Sequence, residues 1–321
     1  MTIETNDHGA PDGRGRGRAA PILAFLLAFA TASFASAPFG IGPLAPAPLA
    51  GQVANASVGP EQGTLLVIGG AMASPELYRT FIDLAGGPDA HLVMIPTAGG
   101  AEHYDERYPG LDAWRENGAR NLTVLHTTDP AVADTEEFVK PLRSADGVFF
   151  FGGRQWRLVD AYAGTLAERE IRAVLERGGV IGGTSAGASI QGSFLVRGDT
   201  RTNQIVIGDH QEGFGYLRGV AIDQHVLRRN RHFDLLEVLA AHPGLLGIGL
   251  DEDTAILVRG DRFEVLGSSY VLIYDPGTTT TAGGGFYFLA PGDEFDLATR
   301  RAFRPSRTFA PVPGLRRGPG R

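Results

Sequence analysis

From residue 64 onward the chain alternates two hydrophobic patterns. Short runs that are apolar at nearly every position have the length and composition of strands buried on both faces: TLLVI (64–68), HLVMI (91–95), NLTVL (121–125), GVFFF (147–151), GVIGG (179–183), GVAI (219–222) and LLGIGL (245–250). Between them, RQWRLVDAYAG, LAEREIRAVLERG and RNRHFDLLEVLAA repeat apolar residues at three- and four-residue spacing and predict amphipathic helices. Ser74-Pro75-Glu76 marks a helix start, with a capping serine, proline at the first helical position and an acid at the positive end of the dipole; Gly86-Gly87 ends that helix. Strand alternating with helix predicts an α/β fold, a mostly parallel sheet with helices on both faces. Beyond residue 254, AILVRG, RFEVLG, YVLIYD and FYFLA follow one another without helices, which predicts an antiparallel β extension at the C-terminal end, about residues 255–300.

The ends of the chain follow other patterns. Arg14, Arg16 and Arg18 precede the apolar run PILAFLLAFATASFASA and a series of small residues, the order of a secretory signal; an uncleaved membrane anchor is the alternative. GIGPLAPAPLAGQ reads as a disordered linker, so residues 1–60 are expected to be leader and linker, 61–300 one α/β domain, and 301–321 a flexible basic tail. Residues 60–299 hold 33 acidic against 19 basic side chains, which argues against nucleic acid as the main partner. The absence of cysteine excludes disulfides, thiolate metal sites, a cysteine nucleophile and a lipoprotein anchor.

In open parallel sheets, ligands bind beyond the carboxyl ends of the strands. Four predicted strands end in reactive residues. GGTSAGAS places Ser185 between a strand and a helical segment, which suits either a nucleophile elbow, with the Ala186 amide facing a developing oxyanion, or a helix cap among close-packed glycines. FFFGGRQWRL offers a glycine amide, Gly153, as a second oxyanion donor and Gln155 as a substrate contact, or else only a strand-to-helix turn. IDQHVLRRNR places Asp223, Gln224 and His225 past another strand; His225 is the best candidate base among eight histidines. Arg229 and Arg231 follow, as carboxylate-orienting groups or as a solvated face. GLDEDTA supplies Asp251, Glu252 and Asp253, one of which can accept a hydrogen bond from the imidazole. The order serine, histidine, acid disfavours the α/β-hydrolase fold. IGGAMASP lacks a P-loop lysine, and neither a dinucleotide motif nor a metal-ligand cluster stands out, so no cofactor or metal is expected.

Taken together, FFFGGRQWRL, GGTSAGAS, IDQH with its trailing arginines and GLDEDTA resemble the cyanophycinase-like serine peptidases, relatives of the aspartyl dipeptidases. The resemblance covers roughly residues 62–275 and implies the class I glutamine amidotransferase-like, flavodoxin-like fold. It implies Ser185 as nucleophile, His225 as base and Glu252 as orienting acid, with Gln155, Asp223, Gln224, Arg229 and Arg231 in the substrate pocket. The activity implied is hydrolysis of β-aspartyl linkages such as β-Asp-Arg; a homodimer is implied by resemblance alone. The family's basic motif carries a third arginine where this chain has Asp234. An α-aspartyl dipeptidase on the same scaffold is one alternative. A catalytically silent binding protein is another, against which stands the complete set of serine, histidine and acid.

Overall fold

The computed structural model describes residues 57–278 and 284–305. The expected leader and most of the linker and basic tail lie outside them. In chain order the elements are β1 (Thr64–Ile68), α1 (Pro75–Leu84), β2 (His91–Ile95), α2 (Asp112–Glu116), β3 (Asn121–Val124), α3 (Pro130–Ala133), α4 (Glu136–Arg143) and β4 (Gly147–Phe150). There follow α5 (Trp156–Tyr162), α6 (Leu166–Glu176), β5 (Val180–Thr184), α7 (Ala186–Ser189), β6 (Gly192–Phe194), β7 (Leu217–Gln224), α8 (Asp234–Ala241) and β8 (Leu246–Leu250). The C-terminal strands are β9 (Thr254–Arg259), β10 (Arg262–Gly267), β11 (Val271–Tyr274), β12 (Tyr287–Leu289), β13 (Glu294–Asp296) and β14 (Arg301–Phe303).

The parallel α/β architecture is present, but its strands divide between two sheets. The larger has the order β14-β13-β10-β9-β1-β5-β4-β2-β3, with β1, β5, β4, β2 and β3 mutually parallel. The smaller has the order β12-β11-β8-β7-β6, in which β6, β7 and β8 run parallel. The reason β7 and β8 do not extend the first sheet lies at its centre: antiparallel β9 takes the free edge of β1. The antiparallel extension is likewise shared, with β9, β10, β13 and β14 in the larger sheet and β11 and β12 in the smaller.

Side-chain alternation along β1 explains the layers. Leu66 and Ile68 join one apolar cluster with Leu77 and Phe81 of α1 and with Trp114 of α2. Leu65 and Val67 face the opposite cluster, which contains Val139 of α4, Leu158 of α5, Ile171 of α6 and also Val220, Ile222 and Ile248 of the second sheet. The other face of the second sheet, through Ala221, Leu272 and Tyr274, is covered by Leu235, Val238 and Leu239 of α8. Trp114 is the anchor of its layer. Its ring stands edge-on to Tyr78, Phe81 and Phe149 at centroid separations of 5.1, 5.3 and 4.5 Å, pairs worth about 0.5–1.5 kcal/mol each beyond their buried area.

Several boundaries differ from expectation. Ser57–Pro60 belong to the fold: the Val58 and Gly59 amides donate to Asp261 Oδ1 at 2.7 and 2.9 Å, and Arg218 N–H donates to the Val58 carbonyl. The basic tail begins with a strand, because Arg301–Phe303 pair with β13. The helix expected from Arg229 starts only at Asp234, since Asn230 adopts a left-handed φ of 55°. Ser74 precedes α1 as predicted but does not cap it through its own side chain. Its hydroxyl donates to Asp253 Oδ2, while Asp253 Oδ1 accepts the Ala73 and Ser74 amides.

Candidate active site

Three loops hang from the carboxyl end of β1. The consecutive carbonyls of Ile68, Gly69 and Gly70 accept the backbone N–H groups of Ser185, His225 and Asp253 at 3.0, 2.9 and 2.8 Å. β1 lies beside β5, so Ser185 emerges from the middle of the larger sheet, while His225 and Asp251–Asp253 arrive from the ends of β7 and β8. The divided architecture therefore converges on one point, and β1 sets the register.

At that point Ser185 Oγ lies 2.9 Å from His225 Nε2, and His225 Nδ1 lies 2.7 Å from Glu252 Oε1. Ser185 has φ 56° and ψ −112°, a left-handed turn between β5 and α7 that a non-glycine residue adopts only under constraint. The turn is possible because its flanking glycines admit close backbone approach: a Cβ on Gly183 would lie 2.2 Å from the Gly187 carbonyl oxygen, and one on Gly187 would lie 2.2 Å from that of Phe150. Ser185 thus stands in a tight strand–turn–helix connection, and its side chain makes no cap bond to α7 among the described residues. His225 is buried, and burial holds its imidazole below the usual value; the hydrogen bond to Glu252 acts in the opposite sense, while Arg229 and Arg231 add to the lowering.

The acidic trio separates into three roles. Only Glu252 meets the imidazole. Asp251 Oδ1 accepts the Leu227 and Arg228 amides and its Oδ2 accepts the Ser269 hydroxyl, bracing the turn after His225. Asp253 holds the start of α1, as described above.

The Ala186 and Gly153 amides make no hydrogen bond among the described residues. Gly153, with φ 146°, packs on the loop after β2, where an added Cβ would lie 2.0 Å from the Ala98 carbonyl oxygen. Gly152 approaches the serine more closely, its Cβ direction ending 3.2 Å from Ser185 Cβ and 3.7 Å from Oγ. Gly152 and Gly153 form the doublet from which the second oxyanion donor is expected, and of the two it is Gly152 that lies against the serine. Gly70, which the sequence motifs do not mark as part of the site, belongs to it: a Cβ there would fall 2.1 Å from His225 Cε1, so its missing side chain is the space the imidazole occupies.

The polar residues expected in the pocket are placed unequally. Gln155 is fully buried, its Nε2 donating to the Val196 carbonyl, while its Oε1 has no partner among the described residues. Asp223 is not a free acid. Both its oxygens are taken by Arg197, Nε to Oδ1 at 2.8 Å and Nη2 to Oδ2 at 2.9 Å, and Oδ1 also accepts the Gln224 amide. Gln224 Oε1 accepts from Arg231 Nη1 at 3.1 Å. Arg231 is 6% exposed and forms no ion pair with a carboxylate among the described residues; burial, followed by the repulsion of Arg197, brings its guanidinium down to about 10. Arg229 is exposed, its amide donating to the His225 carbonyl. Asp234 pairs with Arg197.

The model of peptidase family S51 matches residues 65–266. The chain belongs to peptidase family S51. It is 34% identical over 223 residues to the cyanophycinase of Geminocystis herdmanii, covering 67% of this chain and 81% of that protein. To the cyanophycinase of a Nostoc species it is 35% identical over 232 residues, covering 67% and 74%. A crystal structure of a peptidase from an acI-B1 actinobacterium shares the fold, with a TM-score of 0.55 and 24% identity over 73% of this chain and 97% of that one. As a member of family S51 the protein is a hydrolase, a peptidase of the serine type. The matched region begins in β1 and ends in β10, so it includes the strand ends that carry Ser185, His225 and Glu252.

Proposed function

We propose that this S51 peptidase hydrolyses β-aspartyl peptide bonds, such as that of β-Asp-Arg, by a Ser185–His225–Glu252 triad. The observation that carries the reading is the unbroken hydrogen-bond path from Ser185 Oγ through the imidazole to Glu252. Ser185 Oγ attacks the scissile carbonyl while His225 Nε2 takes its proton, and Glu252 steadies the imidazolium that forms. The Ala186 amide and one from the Gly152–Gly153 turn receive the oxyanion. His225 then protonates the leaving amine, and water releases the aspartyl group by the reverse sequence. Arg231, buried beside the base without a carboxylate ion pair among the described residues, suits a substrate carboxylate, because a guanidinium in that position gains most from a bidentate anion. The β-aspartyl preference rests on the relatives named as cyanophycinases.

The test is incubation of purified protein with cyanophycin, β-Asp-Arg and a set of α-aspartyl dipeptides, with products identified by mass. Release of arginine from β-Asp-Arg, lost in Ser185→Ala, is the expected result. Turnover of α-aspartyl dipeptides alone would give the reading to an α-aspartyl dipeptidase. Wild-type rates in Ser185→Ala would remove the triad.

A further inference from the structure

Arg197 lies in the loop after β6 and belongs to none of the motifs, yet its side chain is almost wholly buried (1% exposed) and each of its polar branches is engaged. Nε and Nη2 grip the Asp223 carboxylate, Nη1 donates to the Asn203 carbonyl at 2.9 Å, and Nη2 also reaches Asp234 Oδ2. Asp223 stands near the end of β7, and Asp234 opens α8. Between them runs the loop 224–233, which carries His225, Arg229 and Arg231. One guanidinium thus closes both ends of the loop that presents the imidazole and the unpaired arginine.

The loop has reason to need such a closure. His225 and Asn230 both hold left-handed φ values of 55°, which are costly for residues with side chains. Its internal backbone bonds are few and short-range, His225 to Arg229, Val226 to Arg231, Leu227 to Asn230 and Arg231 to Asp234, and the Arg231 side chain adds bonds back to Gln224. The two ends also differ in what they hold. At the first, Asp223 Oδ1 accepts the Gln224 amide, one residue before His225. At the second, Asp234 donates its own amide to the Arg231 carbonyl. Asp223 is fully buried, whereas the Asp234 side chain is 33% exposed.

We propose that Arg197 is a positioning residue, a clamp on the 224–233 loop whose Asp223 end fixes the base His225 and whose Asp234 end fixes the anion-binding guanidinium of Arg231. The proposal rests on the Ser185–His225–Glu252 reading. It also gives the acid at position 234 a function: Asp234 shares the guanidinium with Asp223 and ties α8 to the pocket.

The two ends predict different kinetic signatures. Asp234→Asn keeps an acceptor for Arg197 but removes the charge, so KM for β-Asp-Arg should rise about fivefold while kcat stays within about twofold, the loss of one charge-assisted bond. Asp223→Asn should lower kcat about tenfold or more, because the strand end before the base loses its anchor. Arg197→Lys keeps the charge but, as a point donor, cannot hold both carboxylates, and should change kcat and KM together. A second measurement needs no peptide: the rate at which a fluorophosphonate labels Ser185 should fall about tenfold in Arg197→Lys and stay within about twofold of wild type in Asp234→Asn. Equal proportional changes in kcat and KM for the two aspartate variants, or wild-type labelling and turnover in Arg197→Lys, would overturn the clamp. Should Arg197→Lys fail to fold, the kcat and KM split between the aspartate variants decides. If wild type leaves β-Asp-Arg intact but is labelled at Ser185, the substrate reading fails and the clamp is judged on labelling rates.

Discussion

The imidazole of His225 sits where the side chain of residue 70 would be. A methyl group on Gly70 would approach Cε1 to 2.1 Å and both ring nitrogens to 2.6 Å, and the glycine has a φ of 132° that disfavours any side chain. Gly70→Ala must therefore displace the imidazole, which is the base of the proposed mechanism, the backbone or both. Because the Gly70 carbonyl also accepts the Asp253 amide, a backbone shift would disturb the acid loop as well. The expected outcome is a loss of kcat/KM on the order of 10²-fold or greater, as for other small misplacements of a catalytic group. Steady-state kinetics on the variant checks it, and near-wild-type activity would mean that the imidazole works from another rotamer.

Three adjacent carboxylates, Asp251, Glu252 and Asp253, should respond differently to amide substitution. Asp253→Asn weakens the hold on the start of α1 and on Ser268, so it should cost about 1–2 kcal/mol of stability, the difference between a charged and a neutral hydrogen-bond acceptor, with kcat within severalfold of wild type. Burial acts to raise the Asp253 carboxyl, but its bonds to Ser74 outweigh that and hold it below the usual range. Its stabilisation is thus present above the ordinary carboxylate value of about 3.9 and is lost as pH falls through the lower folded value. Thermal melts of the variant against pH, compared with wild type, measure both effects.

How far the site could be read from sequence depended on what each residue answers to. Ser185, His225 and the acids 251–253 each come just after an apolar strand run, so strand ends and parallel-sheet geometry suffice to bring them to one edge, while the choice of Glu252 among the three acids comes from the family resemblance. Gly70 and Arg197 answer to partners distant in the chain. Gly70 is required because an imidazole arrives from β7, and the IGG string after β1 offered a signal only as a glycine doublet at a strand end. Arg197 has no local signal, since its role exists only once β7 and α8 are folded beside it. The same limit applies to the sheets: TLLVI and GVAI look equally fit for a central strand, and nothing within either run says that β9 will close the edge of β1. Strands β6, β13 and β14, of three residues each, are too short for a period to register.

Activity should fall with acid, with a midpoint below the ordinary imidazole value. In the proposed mechanism Nε2 must be unprotonated to accept the Ser185 proton, and burial lowers the His225 pKa. The acid limb of kcat/KM should therefore lie below about 6.5 and leave a plateau at neutral pH. In Glu252→Gln the one influence that raises the imidazole is removed, so the limb should move further toward acid. The plateau should also drop, on the order of 10³–10⁴-fold, because the tautomer and the imidazolium lose their support. A pH profile of wild type and variant gives both numbers; a limb displaced toward higher pH in the variant would contradict the pairing of His225 with Glu252.

The left-handed turn at Ser185 predicts an exchange of stability for function at a single residue. With φ at 56° and ψ at −112°, serine pays a backbone penalty of about 1–3 kcal/mol that glycine would not. Ser185→Ala removes the hydroxyl and keeps the penalty, whereas Ser185→Gly removes both. Glycine also gains flexibility in the unfolded chain, which returns about 0.4–1 kcal/mol of the difference. Both variants should lack turnover, yet Ser185→Gly should melt at or above Ser185→Ala, by about 2–4 °C for each kcal/mol of net relief in a domain of this size. Paired calorimetric melts decide the point: a glycine variant clearly less stable than the alanine variant would show that the contacts of the Cβ and the entropy of the unfolded chain outweigh any backbone penalty at residue 185.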